Sequence, residues 1–224
     1  SELAINYLEN SETKDIWKVQ GAFFRLNYDY QSKYLMEVNG RYDGSSKYAT
    51  DHRWAFFPSA SVGWRISEEK FFKSLSKVVD NLKIRASIGA LGNQITDGNH
   101  SFMSIISGKV LTNYMMDGKI VNGLNIPTLP SMVTWEKVIT KDIGLDWSLF
   151  KNRLFGSFDF YVRDTKDMVR SVTLPAVLGT SGGKENIADM RTVGWELEMT
   201  WKDRIQNVLG SPLDYSLTVG LSDY

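Results

Sequence analysis

Residues 142–163, DIGLDWSLFKNRLFGSFDFYVR, keep apolar and polar side chains in strict alternation on both sides of a short turn. In the first arm Ile143, Leu145, Trp147 and Leu149 share one side, and Asp142, Gly144, Asp146 and Ser148 the other. Residues 150–153 (FKNR) make the turn. The second arm sets Leu154, Gly156, Phe158, Phe160 and Val162 against Phe155, Ser157, Asp159, Tyr161 and Arg163. A helix would need apolar residues at i, i+3, i+4 and i+7, whereas this spacing is i+2 throughout. The segment is therefore a hairpin of two half-buried strands. Each arm has about ten residues, against roughly five or six in a usual globular strand. That is close to the roughly 9–11 residues with which a tilted strand crosses a bilayer.

The same period recurs along the chain. Phe24, Leu26, Tyr28 and Tyr30 form one apolar row; after a tight turn at 31–33, Tyr34, Met36, Val38 and Tyr42 form the next. A polar loop over 44–57 leads to a third strand carrying Ala60, Val62, Trp64 and Ile66. Residues 67–81 (SEEKFFKSLSKVVDN) read as a one- or two-turn helix with Ser67 as N-cap and Glu68 and Glu69 in the first turn. Leu82, Ile84, Ala86, Ile88 and Ala90 mark the fourth strand. Residues 91–135 show little sustained period, and a connection of that length is usually functional. After the hairpin, a loop over 165–192 precedes a strand with Val193, Trp195, Leu197, Met199 and Trp201. A turn over 203–212 leads to Leu213, Tyr215, Leu217, Val219 and Leu221. The expectation is an all-β, antiparallel chain of about eight strands.

Composition narrows the function classes. Twenty-six basic and 26 acidic side chains cancel, so no global field favours nucleic acid. There is no cysteine, hence no disulfide and no thiolate metal site. No apolar run is long enough for a membrane helix, which leaves half-apolar barrel strands untouched. The opening SELAINYLEN has neither Met nor leader and reads as the interior of something longer.

Three features bear on the kind of β-protein. The second face is polar, with Arg25, Asp29, Glu37, Arg41, Lys83, Arg85, Asp142, Asp146, Asp159, Glu196 and Glu198. Aromatic residues gather near strand ends on the apolar face, at Tyr28, Tyr30, Tyr34, Tyr42, Trp64, Trp147, Trp195 and Trp201. Rings with a wet polar tip favour a membrane–water boundary. Connections alternate short and long, as periplasmic turns and extracellular loops do in outer-membrane barrels. A soluble sandwich or lipocalin-like barrel also alternates. Alternation alone leaves open whether the apolar face looks in or out.

The segments FFRLNYDYQSKYLMEVNGRYDGSSKY (23–48), FPSASVGWRISEEKFF (57–72), LKIRASIGALGNQ (82–94), WEKVITKDIGLDWSLFKNRLFGSFDFYVRDTKDMV (135–169) and GWELEMTW (194–201) resemble one family. It is the SusC/RagA-type TonB-dependent outer-membrane transporters of Bacteroidetes, matched in their C-terminal half. YDGSS, FPS…GWRISEE, LK-R-S-G…GN and WE…D-GLD stand in the family's order at about its spacing; Ile88 stands where an aromatic is usual. The resemblance implies that residues 1–224 are part of a 22-stranded transmembrane β-barrel, with short periplasmic turns and long extracellular loops. The plug domain, the TonB-contact segment and the first barrel strands are expected to be missing. It implies import of an oligosaccharide or peptide under a SusD-like lipoprotein lid, powered by the TonB complex, in the outer membrane and in contact with its lipid. No cofactor, metal or catalytic residue is implied. The alternative is a soluble carbohydrate-binding barrel or sandwich using its long loops.

Candidate substrate contacts are loop residues chosen by chemistry. Trp54 and Tyr114 suit sugar stacking, and Arg53, Asn93, Asn113, Asn125 and Lys184 suit hydroxyl or carboxylate contacts. Asp146 and Asp159 are inward carboxylates that more simply pair with Arg and Lys than serve as an acid/base couple. His52 and His100 are the only histidines and give no triad or two-histidine metal site. YDGSS has too few acids for a calcium loop, and GTSGGK lacks the spacing of a phosphate loop.

Overall fold

The computed structural model describes residues 16–94, 110–124, 133–178, 182–208 and 211–224. The strands are β1 (Val19–Tyr30), β2 (Tyr34–Ser45), β3 (Trp54–Arg65), β4 (Val79–Asn93), β5 (Val110–Met116), β6 (Lys119–Leu124), β7 (Glu136–Leu149), β8 (Leu154–Ser171), β9 (Lys184–Val208) and β10 (Ser211–Asp223). Eight of them form one antiparallel sheet in the order β1-β2-β3-β4-β7-β8-β9-β10, and β5 and β6 make a separate hairpin. Among the described residues the sheet is not closed: β1 and β10 each have an unpaired edge. The expected about eight antiparallel strands are the strands of this sheet.

Period-two patterning sets the register. Ile143 faces Phe160, Leu145 faces Phe158 and Trp147 faces Gly156 across β7 and β8, so apolar meets apolar and Asp142 meets Tyr161. A slip of one residue would invert both faces. The turn over 150–153 is tight because Phe150, Lys151 and Asn152 all adopt left-handed backbone at φ 57°, 60° and 59°. Gln31 and Ser32 do the same between β1 and β2.

Several sequence expectations need correction. Residues 67–81 form no α-helix but two short 3-10 segments, Ile66–Glu68 and Lys70–Ser74. Ser67 caps nothing; its hydroxyl reaches the Asn81 side chain at 3.4 Å. The chain must only step from β3 to its antiparallel neighbour β4, and a longer helix would overshoot. The 91–135 connection contains the β5–β6 hairpin, turning at Asp117 and Gly118 with φ 52° and 69°. β3 begins at Trp54, earlier than expected. The 165–192 loop shrinks because β8 and β9 keep pairing out to Ser171 and Lys184, past a register shift beside Asp167.

Among the described residues, buried apolar side chains are few. Tyr48, Phe57, Val133 and Trp135 make one cluster between the β2–β3 connection and the entry to β7. Among the described residues no second layer covers the apolar side of the sheet: Ile143 is 61% exposed and Leu217 65%. A soluble sandwich would bury that side against a partner sheet. No helix among the described residues is long and apolar enough to cross a membrane.

Candidate functional site

The polar side of the sheet carries two concavities, and its lower part is organised by Arg85 on β4. Its guanidinium donates to Asp146 (3.1 Å) and Asp142 (3.3 Å) on β7, and reaches Asp159 on β8 at 2.6 Å. Lys83 adds a 3.5 Å pair with Asp146. To reach β8 the side chain crosses β7 at Gly144. A Cβ there would stand 2.5 Å from Arg85 Cζ and 2.6 Å from Asp159 Oδ1, so only glycine leaves the path open. Asp159 faces Glu196 directly across the strands. Opposed like charges repel, and Arg85 offsets only part of this carboxylate excess.

Higher on the same side, a concavity of ≈ 1020 Å³ lies on β1–β4. Arg25 Nε donates to Asn39 Oδ1 at 2.8 Å, and Asn39 donates to Glu37 at 2.7 Å. Arg41 pairs with the buried Asp43 carboxylate at 2.5 Å. Small polar side chains floor it at Ser59, Ser61, Ser87 and Thr140, with Gly89 between them.

Above this concavity the roots of the long connections are tied together. Trp135 Nε1 donates to the Arg53 carbonyl at 3.0 Å. The Asn186 side chain accepts from Thr134 N–H at 2.8 Å and donates back to the Thr134 carbonyl at 3.1 Å and to the Asp167 carbonyl. The buried Glu136 carboxylate accepts from Val169 N–H at 2.8 Å and Asn93 Nδ2 at 3.2 Å. Each bond joins segments far apart in sequence, so the loop roots hold one geometry.

The apolar side forms a band that descends across the sheet. On β2 it runs from Tyr34 up to Tyr42; on β8 from Leu154 to Val162; on β10 from Leu213 to Leu221. Residues paired across the sheet join Tyr34, Trp64, Ile84, Leu145, Phe158, Leu197 and Leu221 in a single rung. From β2 to β10 the band therefore slips by its own height, about 26 Å, over roughly 29 Å of sheet. That is a strand tilt of roughly 40°, within the range of closed barrels.

Polar groups mark both margins. At the lower one, Glu69 accepts from Tyr34 Oη at 2.7 Å, Lys33 Nζ at 3.2 Å and Trp64 Nε1 at 3.3 Å. The Tyr34 hydroxyl, then Trp64 and Lys33, hold this carboxyl below its ordinary range. At the upper one, Lys166 meets Asp189 at 2.5 Å and Lys137 meets Asp167 at 3.7 Å. The Lys166 hydrogen bond and the Asp167 N–H hold Asp189 below the usual carboxylate range. The Trp54 ring stacks on Tyr42 with centroids 5.1 Å apart and lies against Gly44, on the apolar side.

The candidate contact residues that are described sit on several different elements. Arg53 caps a 3-10 turn, and its Nε is buried without a hydrogen-bond partner among the described residues. Asn93 ends β4 and is spent on Glu136. Trp54 opens β3, Lys184 opens β9 opposite Ser171, and Asn113 and Tyr114 lie on β5. Asn125 and His100 lie outside the described residues. Among those residues no cluster of His, Cys, Asp or Glu could hold a metal ion. Periodicity placed Arg85, Asp142, Asp146 and Asp159 on one face; Glu69, Glu136 and Asn186 carried no such signal.

Three comparisons bear on the chain as a whole. Residues 3–224 match the family model described as TonB dependent receptor-like, beta-barrel. TonB-dependent receptor P26 of Formosa agariphila is 33% identical over 202 residues, covering 87% of this chain and 20% of the relative. TonB-dependent receptor SusC of Bacteroides thetaiotaomicron is 30% identical over 200 residues, covering 88% and 20%. The chain thus spans about a fifth of the curated relatives it matches. The RagAB peptide importer in its open-open state superposes with a TM-score of 0.71 at 27% identity, covering 92% of this chain and 22% of that one.

Proposed function

Because the chain belongs to the TonB-dependent receptor-like β-barrel family, we propose that it is a section of the wall of an outer-membrane nutrient transporter. Its apolar side faces lipid and its polar side faces the lumen. Further strands of a barrel of about 22 continue from the free edges of β1 and β10, and residues 1–224 contribute wall and extracellular loops only. The transporter takes up an oligosaccharide or peptide with a SusD-like lipoprotein as lid, and its plug engages the TonB complex. The wall does no bond chemistry of its own.

The observation that carries this reading is the uncovered apolar band. Its height along each strand, its tilt and its polar margins fit a bilayer-spanning barrel. A soluble sugar-binding barrel would need that side buried, and Trp54, one of its two stacking candidates, sits on the apolar side with Tyr42. The test is to express the chain and compare its β-signal in plain buffer and in detergent micelles. Folding that requires detergent supports the wall. A monodisperse, cooperatively folded protein in buffer refutes it.

A further inference from the structure

The upper concavity carries two side chains that do not belong on a wet polar wall. Phe23 on β1, the open edge of the described sheet, is 84% exposed and Leu91 on the interior strand β4 is 70% exposed, and both line it. Phe23 pairs across to Arg41, and Arg41 to Phe57. Leu91 lies two residues beyond Gly89, the partner of Ser59. The two apolar side chains thus bracket the concavity from strands three spacings apart, roughly 14 Å. Phe57 and Trp135, also at its edge, are buried against each other and offer no free ring face.

The polar groups between them are unevenly neutralised. Asp43 is sunk beneath Arg41 and cancels it. Arg25 is 65% exposed along its side chain and only 3.8 Å from its nearest carboxylate, Glu37. Its contacts to Glu37 and to Asn39 both use Nε, so the exposed outer edge of the guanidinium keeps donors for an incoming carboxylate. Ser59, Ser61, Ser87 and Asn39 supply hydroxyl and amide partners around it. Exposed apolar surface beside a largely exposed guanidinium, engaged only through its Nε, selects an amphipathic anion over a neutral polyol.

We infer that this concavity is a peptide subsite: Phe23 and Leu91 receive apolar side chains, Asn39 and the serines receive backbone amides, and Arg25 receives a carboxylate. The span between Phe23 and Leu91 suits about four extended residues. A neutral oligosaccharide would satisfy the hydroxyls but leave both apolar side chains uncovered and bring no charge to the Arg25 guanidinium. This inference rests on the transporter reading and narrows its substrate class.

The test places the photoreactive residue p-benzoylphenylalanine at Phe23, and separately at Leu91, in the whole transporter containing this wall. The purified, detergent-solubilised protein is irradiated with a pool of random octapeptides, or with mixed maltooligosaccharides, and adducts are mapped by mass spectrometry. Octapeptide adducts at both positions, well above those with the same residue at Ser157, support the subsite. Arg25→Gln should weaken octapeptides with a free carboxylate about tenfold and spare amidated, acid-free ones. Sugar adducts instead, adducts only to another stretch of the same polypeptide, or no adduct above the Ser157 control overturn it. Outer-membrane insertion of the same variants is scored separately. A folded, inserted protein without peptide adducts refutes the subsite alone, whereas failure of the unsubstituted protein to insert refutes the transporter reading.

Discussion

Tyr34 and Leu221 occupy one rung of the sheet yet sit at opposite margins of the apolar band. Tyr34 adjoins the short turn before β2, and Leu221 is the last apolar residue of β10 before Asp223. A rung of paired strands therefore crosses the whole apolar thickness obliquely, as the tilt of a barrel wall requires.

This obliquity makes residues of one rung differ in depth. Val38 on β2 and Val193 on β9 are joined through Ala60, Ile88, Lys141 and Val162. Val38 lies mid-band and Val193 at the upper margin. Val38→Arg should cost about 2–4 kcal/mol and Val193→Arg about 0–1 kcal/mol. Denaturant titration of the folded protein in lipid vesicles measures both; equal costs would remove the tilt.

The Arg85 network predicts a coupled pair of losses. Arg85→Leu leaves three carboxylates crowded on β7 and β8 and should destabilise by about 2–3 kcal/mol, less than a fully buried ion network because the guanidinium is partly wet. Gly144→Ala forces Arg85 and Asp159 apart and should cost about 1–3 kcal/mol. Since both act on one network, the double variant should fall well short of the sum in a double-mutant cycle.

Glu69 predicts acid sensitivity of the lower margin. Its folded-state value is depressed, so its stabilisation is complete above the ordinary glutamate value and is lost as pH falls through the lower folded one. Fluorescence of a variant retaining only Trp64 should change in that acidic window. Glu69→Gln should flatten the change, and an unaltered profile would contradict the role.

Glu136 ties β7 to β8 and β4. Glu136→Ala leaves the Val169 N–H and the Asn93 amide without their acceptor, at a cost of about 1–3 kcal/mol. Amide exchange at Val169 should accelerate markedly while exchange at Phe158 stays slow.

The strands of the main sheet were legible because period two is written locally, as in Ile143–Leu149 and Phe158–Val162. The 3-10 steps after Ile66 were not, since SEEKFFKS has the residues of a helix and the distance between β3 and β4 decides against one. Asp117-Gly118 was a readable hairpin signal inside a stretch lacking period. Glu69, Glu136 and Asn186 become meaningful only when register brings Tyr34, Val169 and Thr134 to them. Trp54 was misleading as a loop residue because β3 begins at it.

Which face meets lipid is most directly read with thiols. The chain has no cysteine, so single cysteines at 142 to 147 in the vesicle-inserted protein report one position each. The wall account predicts that cysteines at Ile143, Leu145 and Trp147 carry labels quenched by nitroxide lipids and are slow with charged thiol reagents. Those at Asp142, Gly144 and Asp146 should react from water and escape lipid quenching. The opposite phase, or quenching without alternation, would contradict a barrel wall with its apolar side in the bilayer.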